Sequence, residues 1–235
     1  MEFFLVLAAT IVLTFLMSKP LKKYPAVFYL LSLVLVGLYI ANVYLSFPAI
    51  LKSALFLLMQ KCTLSLAMFV VVMYIGVFHK DSWVSQKLRP VRAELSIMAC
   101  ILALGHMAVY LSSYLPRLLS GTVLDASFIF FFVTAIVLLV LLAVLGVTSL
   151  QAIKARMGAT TWKKVQKWAY VFFGLIYVHM VAILLPSALS GGLTAQVSVI
   201  SYTVLFGLYA GLRVYRWLAD KKVNTVPSNE TCPEV

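Results

Sequence analysis

A chain of 235 residues with 63% hydrophobic and 11% charged residues and a mean hydropathy of +1.04 is not an ordinary soluble domain, in which about a quarter of residues are charged. Its length holds roughly six to eight membrane spans of about 20 residues and excludes a sizeable soluble catalytic domain beside them. The net charge of +12 would suit a nucleic-acid binder, but the basic residues cluster between apolar runs, so they report topology and no nucleic-acid partner is expected.

The opening MEFFLVLAATIVLTFLMSKP has no basic region before its apolar run and no convincing cleavage site, so residues 3–17 are expected to be a retained first span rather than a signal peptide. Further apolar runs cover residues 26–45, 51–78, 93–115, 126–152, 165–184 and 196–212. The expected fold is an all-α, polytopic transmembrane bundle of seven spans, or six if the short first run lies in the interface. The third run is too long for one straight span and carries Lys52 and Lys61; its first part, SFPAILKSALFLLMQK, is expected to lie as an interfacial helix before a span beginning near Cys62.

Sixteen of the nineteen basic residues fall on one side of this arrangement, in the segments around Lys19 to Lys23, Lys80 to Arg92, Lys154 to Lys167 and Arg213 to Lys222. Only Lys52, Lys61 and Arg117 fall on the other, which predicts an outside N-terminus and a cytoplasmic C-terminus in a multi-pass protein of the cytoplasmic membrane. The polar stretch 223–235 is expected to be a disordered tail. Cys62, Cys100 and Cys232 show neither metal-ligand spacing nor a disulfide partner.

Two of the three histidines, His106 and His179, lie inside apolar runs, and an ionisable side chain at membrane depth is a functional-site candidate by default. His106 lies 13 residues past Ala93 and His179 14 residues past Val165, so two parallel spans present imidazoles at nearly matched depth, roughly 20 Å from the basic side at 1.5 Å per residue. Such a pair can supply both axial ligands of one b-type haem. Gly105 and Gly174 lie near the two ligand levels, where a missing side chain would let the macrocycle approach. The blander alternative is two hydrogen-bonded core histidines. His79, beside Lys80 and Asp81 at a span end, needs no functional explanation.

The stretch RPVRAELSIMACILALGHMAVYLSSYL, followed by LGVTSLQAIKARMGATTWKKVQKWAYVFFGLIYVHMVAILLP, resembles the ferric reductase-like transmembrane superfamily, with most similarity to its MsrQ-like haem-binding membrane subunits. The resemblance covers roughly residues 53–212 and rests on Arg92 ahead of His106 and on Thr148, Ser149, Arg156, Gly158 and Trp162 ahead of His179. It divides the chain into two N-terminal spans (1–47), the first additional to the usual six, a haem-binding bundle (48–222) and the tail. MsrQ-like chains carry another histidine 13 residues before the one matching His179; here that position is Gln166. In relatives with two stacked haems the inner ligand pair would fall at Arg92 and Gln166, neither a usual haem ligand, so one haem is implied rather than two.

What the resemblance implies is an electron-transfer subunit: a quinol or flavin donor, one haem b, and an extracytoplasmic oxidoreductase or flavoprotein as acceptor. An inner quinone or FMN site would involve Arg92, Arg156, Lys163, Gln166 and Trp168. Quinol is the preferred donor, because the chain has no GxGxxG or P-loop. Arg117 and Lys61 would guide an acidic partner or a haem propionate, or merely snorkel. The competing reading is a non-haem membrane subunit or small-molecule carrier that keeps the scaffold without the redox centre. A hydrolase has no support: HExxH, paired aspartates and a Ser/His constellation are missing, and Glu94 and Asp125 look like span-end charges.

Overall fold

Apolar runs this long fold as helices because a lipid-exposed backbone has no water to bond, and a helix satisfies its N–H and C=O groups internally. The computed structural model describes residues 2–121 and 126–224, and every regular element among them is helical. In chain order these are α1 (Glu2–Leu16), α2 (Ser18–Lys23), α3 (Pro25–Tyr44), α4 (Ala49–Leu55) with a π-turn at Phe56–Gln60, α5 (Thr63–Ile75), α6 (Trp83–Leu88) with a 3-10 turn at Arg89–Val91, α7 (Arg92–Leu119), α8 (Ala126–Ser149), α9 (Gln151–Arg156), α10 (Ala159–Gln166), α11 (Trp168–Leu189) and α12 (Leu193–Asn224).

Five helical segments are long and apolar enough to cross a membrane, and the bent pair Ala49–Gln60 and Thr63–Ile75 makes a sixth if it counts as one span. The first apolar run forms α1, but at 15 residues it is shorter than a span, so by length the structure gives five spans, or six with the bent pair, rather than seven. The long third run is broken where its two lysines suggested: its halves meet at 42° around Lys61 and Cys62. Cys62 sits there in the left-handed region at φ 54°. Two residues of the expected tail, Val223 and Asn224, belong to α12, because its helical pattern runs on past the basic Arg213 to Lys221 stretch; residues 225–235 lie outside those described, as do Cys232 and Asp125.

The core forms around α5, the shortest of the central helices at 13 residues and buried along nearly its whole length. It is joined to α7 where the Ser65 hydroxyl, 1% exposed, donates to the Ala99 carbonyl at 2.8 Å. α1 packs on another side of α5, α3 covers α7, and α8 packs against both α7 and α11. α12 packs on α11 through a stacked Phe173–Phe206 pair and a Tyr177–Thr203 hydrogen bond. The start of α1 is tied to the break before α5 by Lys61, whose ammonium lies 2.7 Å from the Glu2 carboxylate and holds that exposed carboxyl below its ordinary range. At the opposite end Phe15 stacks on Trp83 with Lys87 over both rings, so the basic residues of that end are braced by aromatic faces.

Candidate functional site

His106 and His179 are both half-buried, on α7 and α11, and lie within electrostatic reach of each other. α8 packs against both of their helices. Two imidazoles from separate helices, within electrostatic reach of each other, are the donor set that a bis-ligated macrocycle would need.

The break before α5 supplies the next part. Because the helix stops at Gln60, the Met59 carbonyl is not spent on a fourth-residue partner; it accepts the Cys62 N–H at 3.1 Å and lies 3.0 Å from Nδ1 of His106. A carbonyl only accepts, so the Nδ1 nitrogen carries the proton and Nε2 keeps its lone pair. Metal-bound histidines are oriented in this way, with one ring N–H donated to a backbone carbonyl and the other nitrogen left to ligate. The Tyr110 ring packs against the His106 ring at 4.6 Å between centroids. On α11, Nδ1 of His179 is buried without a hydrogen-bond partner. The ring is nevertheless within hydrogen-bond reach of the Phe131 backbone, so Nδ1 alone is the unpaired atom, at a cost of about 1–3 kcal/mol. The donor set therefore fits a two-ligand centre, and among the described residues no group of three or more His, Cys, Asp or Glu converges on a metal position.

The glycines serve other ends. A Cβ on Gly105 would meet both γ-carbons of Val36 at 2.7 Å, so this glycine is there for the approach of α3 to α7, and the space expected for a macrocycle is taken. Gly174 has open space around its Cβ position, but five residues at 100° each turn it about 140° away from His179.

The five residues proposed for an inner site are distributed rather than gathered. Gln166 is tied back to α8, its amide donating to the Thr148 hydroxyl at 3.1 Å, while Trp162 donates to the Thr148 carbonyl at 3.0 Å. Arg156, Lys163 and Trp168 are exposed. Arg92 belongs to a separate basic cluster, within electrostatic reach of Tyr170, Tyr209, Arg89 and Arg213; Arg213 donates to the Tyr170 hydroxyl at 2.7 Å and to the Gly76 carbonyl at 3.4 Å. The helix is interrupted at Lys167, between Gln166 and His179, whereas α7 runs unbroken from Arg92 to His106. His79 Nδ1 lies 3.1 Å from the Asp81 carboxylate, and Cys62 and Cys100 are free.

Two participants escaped the sequence reading. The Met59 carbonyl carries no side-chain signature. Tyr110, one helical turn beyond His106, was the one that spacing could have shown.

Residues 61–177 match the family of the ferric reductase like transmembrane component; the matched segment contains His106 and stops just short of His179. A protein of Treponema pallidum (strain Nichols) described as uncharacterized is 40% identical over 220 residues, 92% of this chain and 61% of the relative. The chain thus spans about three fifths of that relative's length. No solved structure matches it. Through the helical core that carries His106, the chain belongs to the ferric reductase-like transmembrane superfamily.

Proposed function

We propose that this protein is a multi-pass b-type cytochrome of the cytoplasmic membrane, in which His106 and His179 hold one haem b. It takes electrons from a quinol or a flavin and delivers them to an extracytoplasmic oxidoreductase or flavoprotein. The observation that carries this reading is the 3.0 Å contact between Nδ1 of His106 and the Met59 carbonyl, which leaves Nε2 available as a ligand. The unpartnered Nδ1 of His179 and the electrostatic reach between the two imidazoles support it. Bound haem would supply one-electron chemistry. The chain's own contribution is to orient the His106 ring through a backbone acceptor and to pack Tyr110 against it.

The orientation follows from charge. Sixteen basic residues at one end make that end cytoplasmic, with the N-terminus outside and α1 either a tilted seventh span or an interfacial helix. Protein purified from haem-replete cells should show a sharp Soret band that shifts on dithionite reduction. His106→Ala and His179→Ala should each abolish it while leaving the helical circular dichroism unchanged. Colourless wild-type protein would sink the proposal and leave the non-haem subunit, a reading that Arg92 and Gln166 at the inner ligand positions favour.

A further inference from the structure

Three arginines from two helices and a turn meet where α5 ends. Arg213 of α12 donates to the Gly76 carbonyl at 3.4 Å, and Arg89 of the 3-10 turn donates to the Phe78 carbonyl at 3.5 Å. A Cβ on Gly76 would stand 3.9 Å from Nη1 of Arg92, so the first side chain of α7 lies over the same end. Arg92 is within electrostatic reach of both Arg89 and Arg213.

Capping α5 accounts for only part of this charge. A helix C-terminus carries roughly half a negative charge, against three guanidinium charges. The remainder has no counter-ion among the described residues. Of their four carboxylates, Glu2 is paired with Lys61, Asp81 lies beside His79 and Asp220 is paired with Arg216. Glu94 acts on Tyr29 of α3, and residues two apart on a helix, as it and Arg92 are, do not face each other. Arg92 makes no hydrogen bond or ion pair among the described residues; the groups within its reach are the Tyr170 and Tyr209 hydroxyls and the other two arginines.

The donors left over suit a phosphate. The planar fork of Arg92 is unspent and matches two phosphate oxygens, and Tyr170, which accepts from Arg213 at 2.7 Å, keeps its own hydrogen to donate. The flanking residues indicate whose phosphate it is. Trp168, two residues before Tyr170, and Trp217, one turn past Arg213, are exposed, as is Trp83 ahead of Arg89. Exposed indole rings sit at headgroup level in a bilayer, and exposed Val171 and Val214 offer apolar surface to acyl chains.

We propose that this cluster binds the phosphate of an anionic phospholipid, held by Arg92 with Arg89, Arg213 and the Tyr170 hydroxyl around it. Basic pockets between membrane helices take anionic headgroups in this way, and here the lipid links the ends of α5, α7, α11 and α12. Arg92 is 14 residues along α7 from His106, so the site does not rest on the haem reading.

Delipidated full-length protein in detergent, titrated with dioleoylphosphatidylglycerol and with dioleoylphosphatidylcholine and read by native mass spectrometry, tests this. The two lipids share acyl chains and a phosphodiester, and only the first has a net charge. Phosphatidylglycerol should bind tighter by about ten-fold. Arg92→Gln should remove most of that preference with a melting temperature at or above the wild type, because its guanidinium is bonded to no described residue and stands among like charges. Arg213→Gln should remove it too but melt lower, since it also breaks the bonds to Tyr170 and Gly76. Lys154→Gln, Lys164→Gln, which takes two charges from exposed positions on α9 and α10, should keep the preference. The proposal is overturned if the two lipids bind alike, if Arg92→Gln leaves the preference intact, or if the Lys154, Lys164 variant loses it equally, the mark of a diffuse basic surface. Displacement of phosphatidylglycerol by inorganic phosphate or riboflavin 5′-phosphate at equal concentration would also overturn it, making this a site for soluble phosphates. Glu230→Gln, Glu234→Gln should leave lipid binding unchanged; a gain of about ten-fold would mean that those carboxylates are the arginines' partners instead.

Discussion

Cys62 decides how His106 is held. The left-handed backbone at φ 54° turns the chain between the π-turn and α5, and that turn leaves the Met59 carbonyl facing the imidazole. An L-residue pays about 1–2 kcal/mol for this conformation, more when β-branched, whereas glycine adopts it freely. Cys62→Val should therefore melt below Cys62→Gly by the equivalent of about 1 kcal/mol, measured by thermal unfolding in detergent. Equal stability of the two variants would show that the turn does not hold this conformation in solution. At this scale the sequence shows which side chains are costly and hides what satisfies them: two histidines in apolar runs are visible on sight, but the backbone oxygen 47 residues away that fixes one of them is not.

At the level of helices, the α3–α7 contact is set by Gly105. A methyl group there would stand 2.7 Å from both γ-carbons of Val36, inside the range that carbon contacts tolerate, so α3 must shift or Val36 must shrink. Gly105→Ala should cost about 1–3 kcal/mol, and Val36→Ala on the same chain should recover most of it, because the two γ-carbons that stand 2.7 Å from the new methyl are then removed. A double-mutant cycle in thermal unfolding reads this directly; additive losses would mean that the helices do not meet here. The same glycine shows why helix positions were legible and helix facings were not. Apolar runs bounded by prolines and lysines predicted the ends of α3 and α8 to within a few residues, since lipid demands a helix wherever the chain is apolar. These helices are apolar all round, so no polar stripe marks which face meets which neighbour, and Gly105 was assigned to a macrocycle when it serves Val36.

Across the whole molecule, the division between the two ends governs how electrons can move. The proposed haem ligands lie toward the Met59 end, while the basic end holds Arg92 and Gln166 where two-haem relatives would place a second ligand pair. Both of those residues already have other surroundings: Gln166 is bonded to Thr148, and Arg92 stands in a cluster with Arg213 and Tyr170. Neither a guanidinium nor an amide is a usual haem ligand, so a second macrocycle has no axial support there. A pyridine haemochromogen assay on the purified chain should accordingly give about one haem per polypeptide. A value near two would mean that the basic end binds haem through other residues and that the chain conducts across the bilayer by itself. With one haem, about 30 Å of hydrocarbon separates the two surfaces and only one half of that distance holds a redox centre. On the proposed function, a donor that enters on the same side as the acceptor needs no second centre at the basic end.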